Sequence, residues 1–237
     1  MIDPLALARA YGLGAHAARQ LESLVESLMT DPEAPTTVTD RVGILRDHIA
    51  DSLVALELPV VRSATMVADL GAGAGFPGLP LAIALPGTTV RLVESNGRKC
   101  AFIDRAIEAG GIPNATAVHA RAESWREGLG ACDLVTARAL APLAVIAEYA
   151  APLLIEGGSM VAWRGRRDPD DEASAARAAA ELGLEVAEPV HVDPYPGALH
   201  RHLHVMVKVA PTPARFPRRP GMARKRPLGA ASDRSRR

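Results

Sequence analysis

The spacing of apolar positions changes near residue 65. Before it they recur at helical intervals; after it, short apolar runs alternate with amphipathic stretches. Across 4–29, Leu5, Ala8, Gly12 and Ala15 make a thin stripe, and Leu21, Leu24, Val25 and Leu28 make a stronger one. This spacing predicts helix, with Gly12 and Gly14 able to divide it. A turn-rich loop over 30–35 leads to a second helix over 40–58, whose apolar face is Ile44, Leu45, Ile49, Leu53 and Leu56. On its other side His48 lies three residues before Asp51 and four before Ser52, so the three share a face. Such a face is solvated unless it lines a cleft.

From residue 65 the pattern predicts strand 67–70, helix 78–85, strand 89–94, helix 96–109, strand 116–120, strand 133–139, helix 142–150, strand 159–163 and helix 168–182. Two further strand-like runs, 185–193 and 201–209, are joined by Pro194, Tyr195, Pro196 and Gly197 without a helix. The alternation implies an α/β fold of Rossmann-like type, with a mostly parallel seven-stranded sheet and right-handed crossovers. The short final link suits a C-terminal antiparallel hairpin. The expected organisation is a helical cap over 1–60, a sheet domain over 61–210 and a tail over 211–237.

The turn between the first strand and its helix carries the candidate chemistry. It reads Asp69, Leu70, Gly71, Ala72, Gly73, Ala74, Gly75, Phe76, Pro77, Gly78. Glycines at a strand-to-helix turn permit left-handed backbone and close approach of a ligand, and the first N–H groups of the helix are expected to face that ligand. Glu94 ends the next strand, where an acid can accept ribose hydroxyls. Residues 73–78 match G-x-G-x-x-G, so a nicotinamide dinucleotide is one reading. An acid two positions before G-x-G-x-G resembles S-adenosylmethionine methyltransferases, in which the residue matching Asp69 helps hold the loop and the aminoacyl end of the cofactor. The closing hairpin favours the second reading.

Composition narrows the class. Hydrophobic residues make up 48% and aromatic residues 3%, so the core relies on alanine-rich helices. No apolar run approaches the roughly 20 residues needed to span a bilayer, and the N-terminus lacks a basic-then-apolar leader. A cytoplasmic monomer without membrane contact is expected. Cys100 and Cys132 read as ordinary buried thiols, and no His/Cys cluster has metal-ligand spacing. The net charge of +0 conceals a split, because residues 211–237 hold nine Arg and Lys against the single acid Asp233. A tail of this charge suits a polyanion and is expected to be disordered without one.

Candidate ligand residues follow the strand tips: Ala122 and Glu123 after the third strand, Arg138 after the fourth, Arg164 after the fifth. Glu123 could accept from an adenine amino group or neighbour a helix cap; Arg138 could serve the reaction or pair with Asp133 or Glu123. No nucleophilic triad is apparent. That suits an acceptor such as a ring nitrogen with a free lone pair, which attacks without losing a proton.

Four stretches resemble the glucose-inhibited division protein B family: residues 46–53, 69–80, 136–139 and 201–203. The run Phe76-Pro77-Gly78-Leu79-Pro80-Leu81 is the specific part of the resemblance. It implies an S-adenosyl-L-methionine-dependent methyltransferase acting on guanine N7 of 16S ribosomal RNA in the small ribosomal subunit. Cofactor contacts would then fall at Asp69, Gly71, Gly73, Phe76, Glu94, Ala122, Glu123 and Arg138. Arg138 and His48 are the catalytic candidates. Arg46, Arg164, Arg201, Arg218, Arg219, Lys225 and Arg226 are the expected RNA contacts. Arg164-Gly165 stands where the family commonly has Lys-Gly. Rival readings are a methyltransferase on a different substrate, and an RNA-binding ribosome assembly factor.

Overall fold

The computed structural model describes residues 2–230. Asp3 accepts from the Ala6 N–H and starts α1 (Pro4–Ala10). Gly12, at φ 72, turns the chain into α2 (Ala15–Thr30). The second helical stretch is continuous from 41 to 57 but irregular. It comprises α3 (Arg41–Gly43), π-helical turns over Ile44–Ala50, α4 (Asp51–Leu53) and a 3₁₀ turn Val54–Glu57. A regular helix was expected here; π-turns concentrate at functional sites, where they re-aim side chains. The expected apolar face holds, with Ile44, Leu45, Ile49, Leu53 and Leu56 all at 1% exposure or less. The short helix α5 (Pro59–Arg62) leads into the sheet.

Among the described residues the sheet has eight strands: β1 (Met66–Leu70), β2 (Thr89–Glu94), β3 (Ala115–His119), β4 (Cys132–Arg138), β5 (Leu154–Arg164), β6 (Leu184–Val186), β7 (Val190–Val192) and β8 (Arg201–Lys208). Its order is β3-β2-β1-β4-β5-β8-β6, with β7 also paired to β8. The first five strands are parallel, and β8 runs antiparallel to β5, β6 and β7. Seven strands were expected. The extra one arises because the run 185–193 breaks at Pro189, which has no N–H for the ladder. Its two halves pair separately with β8, through Val186 opposite Met206 and Val190 opposite Leu203.

The helices between the strands are α6 (Gly78–Ala84), α7 (Gly97–Gly110), α8 (Leu143–Ala150) and α9 (Pro169–Leu182). Alternate strand residues feed two apolar layers. Val67, Val90 and Leu92 pack with α2, α6, α7 and the 41–57 stretch. Ala68, Val93 and Val135 pack with α8 and α9. The N-terminal helices thus share a core with the sheet. Cys100 and Cys132 are buried free thiols. Strand order reverses between β1 and β4, and the crevice beyond their carboxyl ends is where ligands bind in open α/β sheets.

The expectation of a disordered tail over 211–237 is corrected for residues 211–230, which pack on α8 and α9; residues 231–237 lie outside the described residues. The buried Lys208 ammonium donates to Ala151 O at 3.0 Å and to Leu182 O at 3.5 Å. It thereby places positive charge at the carboxyl ends of α8 and α9. Phe216 is buried, and Arg218 pairs with Glu148. A four-residue helix, α10 (Met222–Lys225), then seats Ala223 against the same layer. Glu148 explains the docking. It is 2% exposed within a helix buried on every side, and a carboxylate there requires a counter-charge.

Candidate functional site

The glycine loop is built around Asp69, which is 1% exposed. One of its oxygens accepts from the Gly78 N–H at 2.9 Å, and the other accepts from the Thr136 hydroxyl at 2.9 Å. Burial pushes its pKa up to about 7, against the lowering effect of those two bonds. Asp69 therefore clamps the loop from beneath. Gly71, Gly73 and Gly75 all have positive φ, at 66°, 62° and 92°. At Gly75 an added Cβ would lie 2.4 Å from Leu79 Cδ1, so both conformation and space demand glycine.

The N–H groups of this turn are mostly used internally, which corrects the expectation that they face a ligand. Gly71 donates to Val93 O, Gly75 and Phe76 to Ala72 O, and Leu79 to Gly75 O. Gly73 donates to Glu94 Oε2 at 3.1 Å. At the start of α6, Gly78 is taken by Asp69, while Pro77 and Pro80 have no N–H. A dinucleotide pyrophosphate would meet no free donor among the N–H groups of residues 75–80. The turn instead offers close approach of bare backbone to a ligand beside Glu94. Glu94, 7% exposed, also accepts from the Asn96 N–H at 2.9 Å, which fixes its carboxylate at the tip of β2 beside Gly73.

Arg138, at the end of β4, joins this loop to the 41–57 stretch. Its guanidinium donates to Asp47 O at 2.8 Å and Asp51 Oδ2 at 2.9 Å, lies 3.3 Å from His48 Nδ1, and stands 5.5 Å above the Phe76 ring. A guanidinium has no acceptor, so His48 Nδ1 must accept. The ring proton is then on Nε2 and is donated to Thr36 Oγ1 at 2.8 Å. Burial, followed by the Arg138 charge, lowers the His48 pKa to about 4, and the ring is neutral at pH 7. His48 also stacks on Phe76 at 4.8 Å. The catalytic expectation for His48 is revised accordingly: its lone pair is engaged, and the ring walls the cleft. Ser52 turns inward, its hydroxyl donating to His48 O.

Three adjoining spaces follow the crevice. A cleft of about 240 Å³ lies over Gly71–Ala74, beside Phe76, Lys99 and Arg138. His48, Arg138 and Ala139 also wall a larger basin of about 530 Å³, which holds Asp51, Trp163 and Arg201. Gly71 also borders a pocket of about 80 Å³ containing Ala122 and Glu123. The basin is of a size that accommodates a nucleotide.

The expected RNA contacts divide. Arg46 lies over the Tyr195 ring at 4.7 Å at the basin rim. Arg164 is paired with Asp171 at 2.5 Å, and Arg201 with Asp51 at 3.3 Å. Arg218 is on the other side of the sheet, held by buried Glu148, which corrects its reading as a phosphate ligand. Among the described residues no ion pair engages Arg219, Lys225 or Arg226. Glu123 accepts from the Gly221 N–H at 2.9 Å, a contact no local pattern predicts. In the sequence Asp51 stands out only as a neighbour of His48. Its spacing from His48 was the available signal; its pairing with Arg138 and Arg201 was not legible.

The sequence profile described as rRNA small subunit methyltransferase G matches residues 19–202. The chain is 41% identical to the ribosomal RNA small subunit methyltransferase G of Chloroflexus aggregans, across 89% of this chain and 88% of that protein. To the protein of the same name from Roseiflexus castenholzii it is 42% identical, across 81% and 83%. Among solved structures, Aeropyrum pernix fibrillarin with natively bound S-adenosyl-L-methionine shares the fold at TM-score 0.54 and 19% identity, over 67% of this chain and 73% of that one. On this breadth of match, the chain belongs to the rRNA small subunit methyltransferase G family.

Proposed function

We infer that this protein transfers a methyl group from S-adenosyl-L-methionine to RNA of the small ribosomal subunit, and we propose guanine N7 of 16S rRNA as the acceptor atom. The observation that carries the reading is the junction at His48, Arg138 and Ala139, where the glycine-loop cleft meets the larger basin. When bound, S-adenosyl-L-methionine supplies the electrophilic methyl on its sulfonium. Glu94 would hold the ribose, the Gly71–Gly75 backbone would admit the chain of the cofactor, and Phe76 with His48 would wall the reacting end. The target base would enter the basin from a splayed strand.

The titratable groups at the junction are held by neighbouring charges, although Asp51 Oδ1 has no hydrogen-bond donor. His48 is neutral with its Nδ1 accepting from Arg138, and Asp51 lies between Arg138 and Arg201. This state fits an acceptor that attacks through an existing lone pair, as guanine N7 does, so that the work of the site is alignment. Asp47 and Asp51 then lie near the positive charge that the methylated purine acquires. We propose that Arg46 and the unpaired tail cations meet RNA phosphate, and that the enzyme works as a cytoplasmic monomer. No helix among the described residues is long and apolar enough to cross a membrane.

The test is methyl transfer from labelled S-adenosyl-L-methionine to small subunits from a strain lacking the gene, with the modified base mapped by mass spectrometry. A single methylated guanine in 16S rRNA is expected. Arg138→Ala should abolish transfer while RNA binding persists. Methylation elsewhere would overturn the acceptor assignment, and ribosome defects that Arg138→Ala fully complements would favour a binding role. Calorimetric uptake of a nicotinamide dinucleotide, and none of S-adenosyl-L-methionine, would defeat the whole reading.

A further inference from the structure

The segment after β8 crosses α8, passes the residues that follow β3 and β4 at 221–224, and ends its described course against α9, where Ser174 donates to Leu228 O and Arg177 to Gly229 O. Its anchors are the Arg218 pair with Glu148 and the buried Phe216 and Ala223. From there two contacts reach residues of the cofactor site. The Gly221 N–H donates to Glu123 Oε1 at 2.9 Å, and the Arg224 guanidinium donates to Leu140 O at 2.8 Å. Leu140 in turn covers Gly71: a Cβ at that glycine would sit 2.6 Å from Leu140 Cδ1. The resulting pocket of about 80 Å³ is bounded by Ser95, Ala122, Glu123, Leu140 and Arg224.

We propose that residues 218–226 complete the adenine end of the cofactor site, Gly221 positioning Glu123 and Arg224 positioning Leu140. The proposal rests on the reading of the chain as an S-adenosyl-L-methionine enzyme. A carboxylate can only accept when ionised, and each of its oxygens carries separate lone-pair sites. The Gly221 N–H takes one oxygen of Glu123 and fixes the plane of the group. The second oxygen is left for a donor, and the exocyclic amine of adenine is one. Hypoxanthine presents a carbonyl oxygen at that position, so two acceptors would face each other without a proton between them. The tail therefore sets base specificity through Glu123. Arg224 keeps Leu140 seated over Gly71, which holds the pocket wall at its working distance. Gly221 has φ 82, a left-handed conformation that turns its N–H toward Glu123.

The test uses the full chain and calorimetric titration with S-adenosylhomocysteine and its hypoxanthine analogue, S-inosylhomocysteine. The native protein is expected to prefer the adenine compound by about ten-fold or more. Arg224→Ala should weaken binding of the adenine compound by about ten-fold and shrink that preference, with a melting temperature close to the parent because Arg224 is exposed. Arg224→Lys, which restores one donor to Leu140 O, should recover most of both. Glu123→Gln leaves an acceptor for Gly221 and adds an amide donor; it should narrow the preference without disturbing the segment. Unchanged affinity and preference in Arg224→Ala, or an unchanged preference in Glu123→Gln, would overturn the proposal. Tighter binding in Arg224→Ala would also overturn it, identifying the segment as a plug. If the native protein bound neither compound, the cofactor reading itself would fail, an outcome distinct from the others.

Discussion

Asp69 illustrates how one side chain can be essential to a site without touching what the site holds. It is buried beneath the loop and accepts from Gly78 and Thr136. Asp69→Ala leaves both donors unpaired in the interior and is expected to cost about 1–3 kcal/mol of stability as well as cofactor affinity. Asp69→Asn should be far milder. Its amide oxygen can take the Gly78 N–H, and the Thr136 hydroxyl can rotate to accept from the new amine. Denaturant melts and calorimetry on the two variants check this; a large affinity loss in Asp69→Asn with full stability would show that the negative charge itself matters. His48 gives the second residue-scale expectation. Its pKa in the fold, about 4, lies below its ordinary 6.5, so the unfolded chain binds more protons between those values. The contribution of His48 to stability is complete above pH 6.5 and is lost as pH falls toward 4. Asp69 has the opposite sign, its contribution shrinking as pH rises from 3.8 toward 7. Melting temperatures of His48→Asn across pH 4 to 6.5 should therefore fall less steeply than those of the parent. Parallel curves would refute the neutral-ring assignment.

At the scale of elements, the strand–loop–helix unit from β1 to α6 is held by contacts with no slack. An added Cβ at Gly78 would lie 2.8 Å from Asp69 Oδ2 and 3.0 Å from Leu92 Cδ2. Gly78→Ala is thus expected to push Asp69 from its seat, lowering stability by about 1–3 kcal/mol and weakening cofactor binding with it. Equilibrium unfolding and titration of the same variant test the linkage. Much of this unit was legible in the chain, because glycine spacing, the preceding acid and Glu94 each have a local rationale. The ends of α7 were equally legible: Asn96 accepts from Arg98 and Lys99, and Gly111 stops the helix in a left-handed turn. The π-turns over 44–50 were not, since the apolar spacing there fits an ordinary helix. Nor was the bond of Arg138 to Asp51, 87 residues away in sequence. Periodicity describes which face is buried; it carries no record of which charges meet across the fold.

Over the whole molecule, the alternation of runs announced the parallel sheet, whereas the docked tail was hidden by its own composition. A stretch rich in arginine and proline reads as unstructured because nothing in it buries much apolar area. Its order comes from outside, from the Glu148 carboxylate and the layer around α8. The sign was present in α8, where Glu148 stands alone among Leu143, Val145, Ile146 and Tyr149, all of them buried. β8 comes late in sequence yet sits inside the sheet, between β5 and β6, with β7 also joined to it. A nascent chain therefore holds the 11-residue β5 as a raw edge until residues 201–208 have been made. Premature termination before residue 201 should yield a product that collects in the pellet, edge to edge, rather than a smaller working enzyme. Fractionating cells that express such a fragment would decide it, and a fragment that stayed in the supernatant with its ligand affinity intact would refute it.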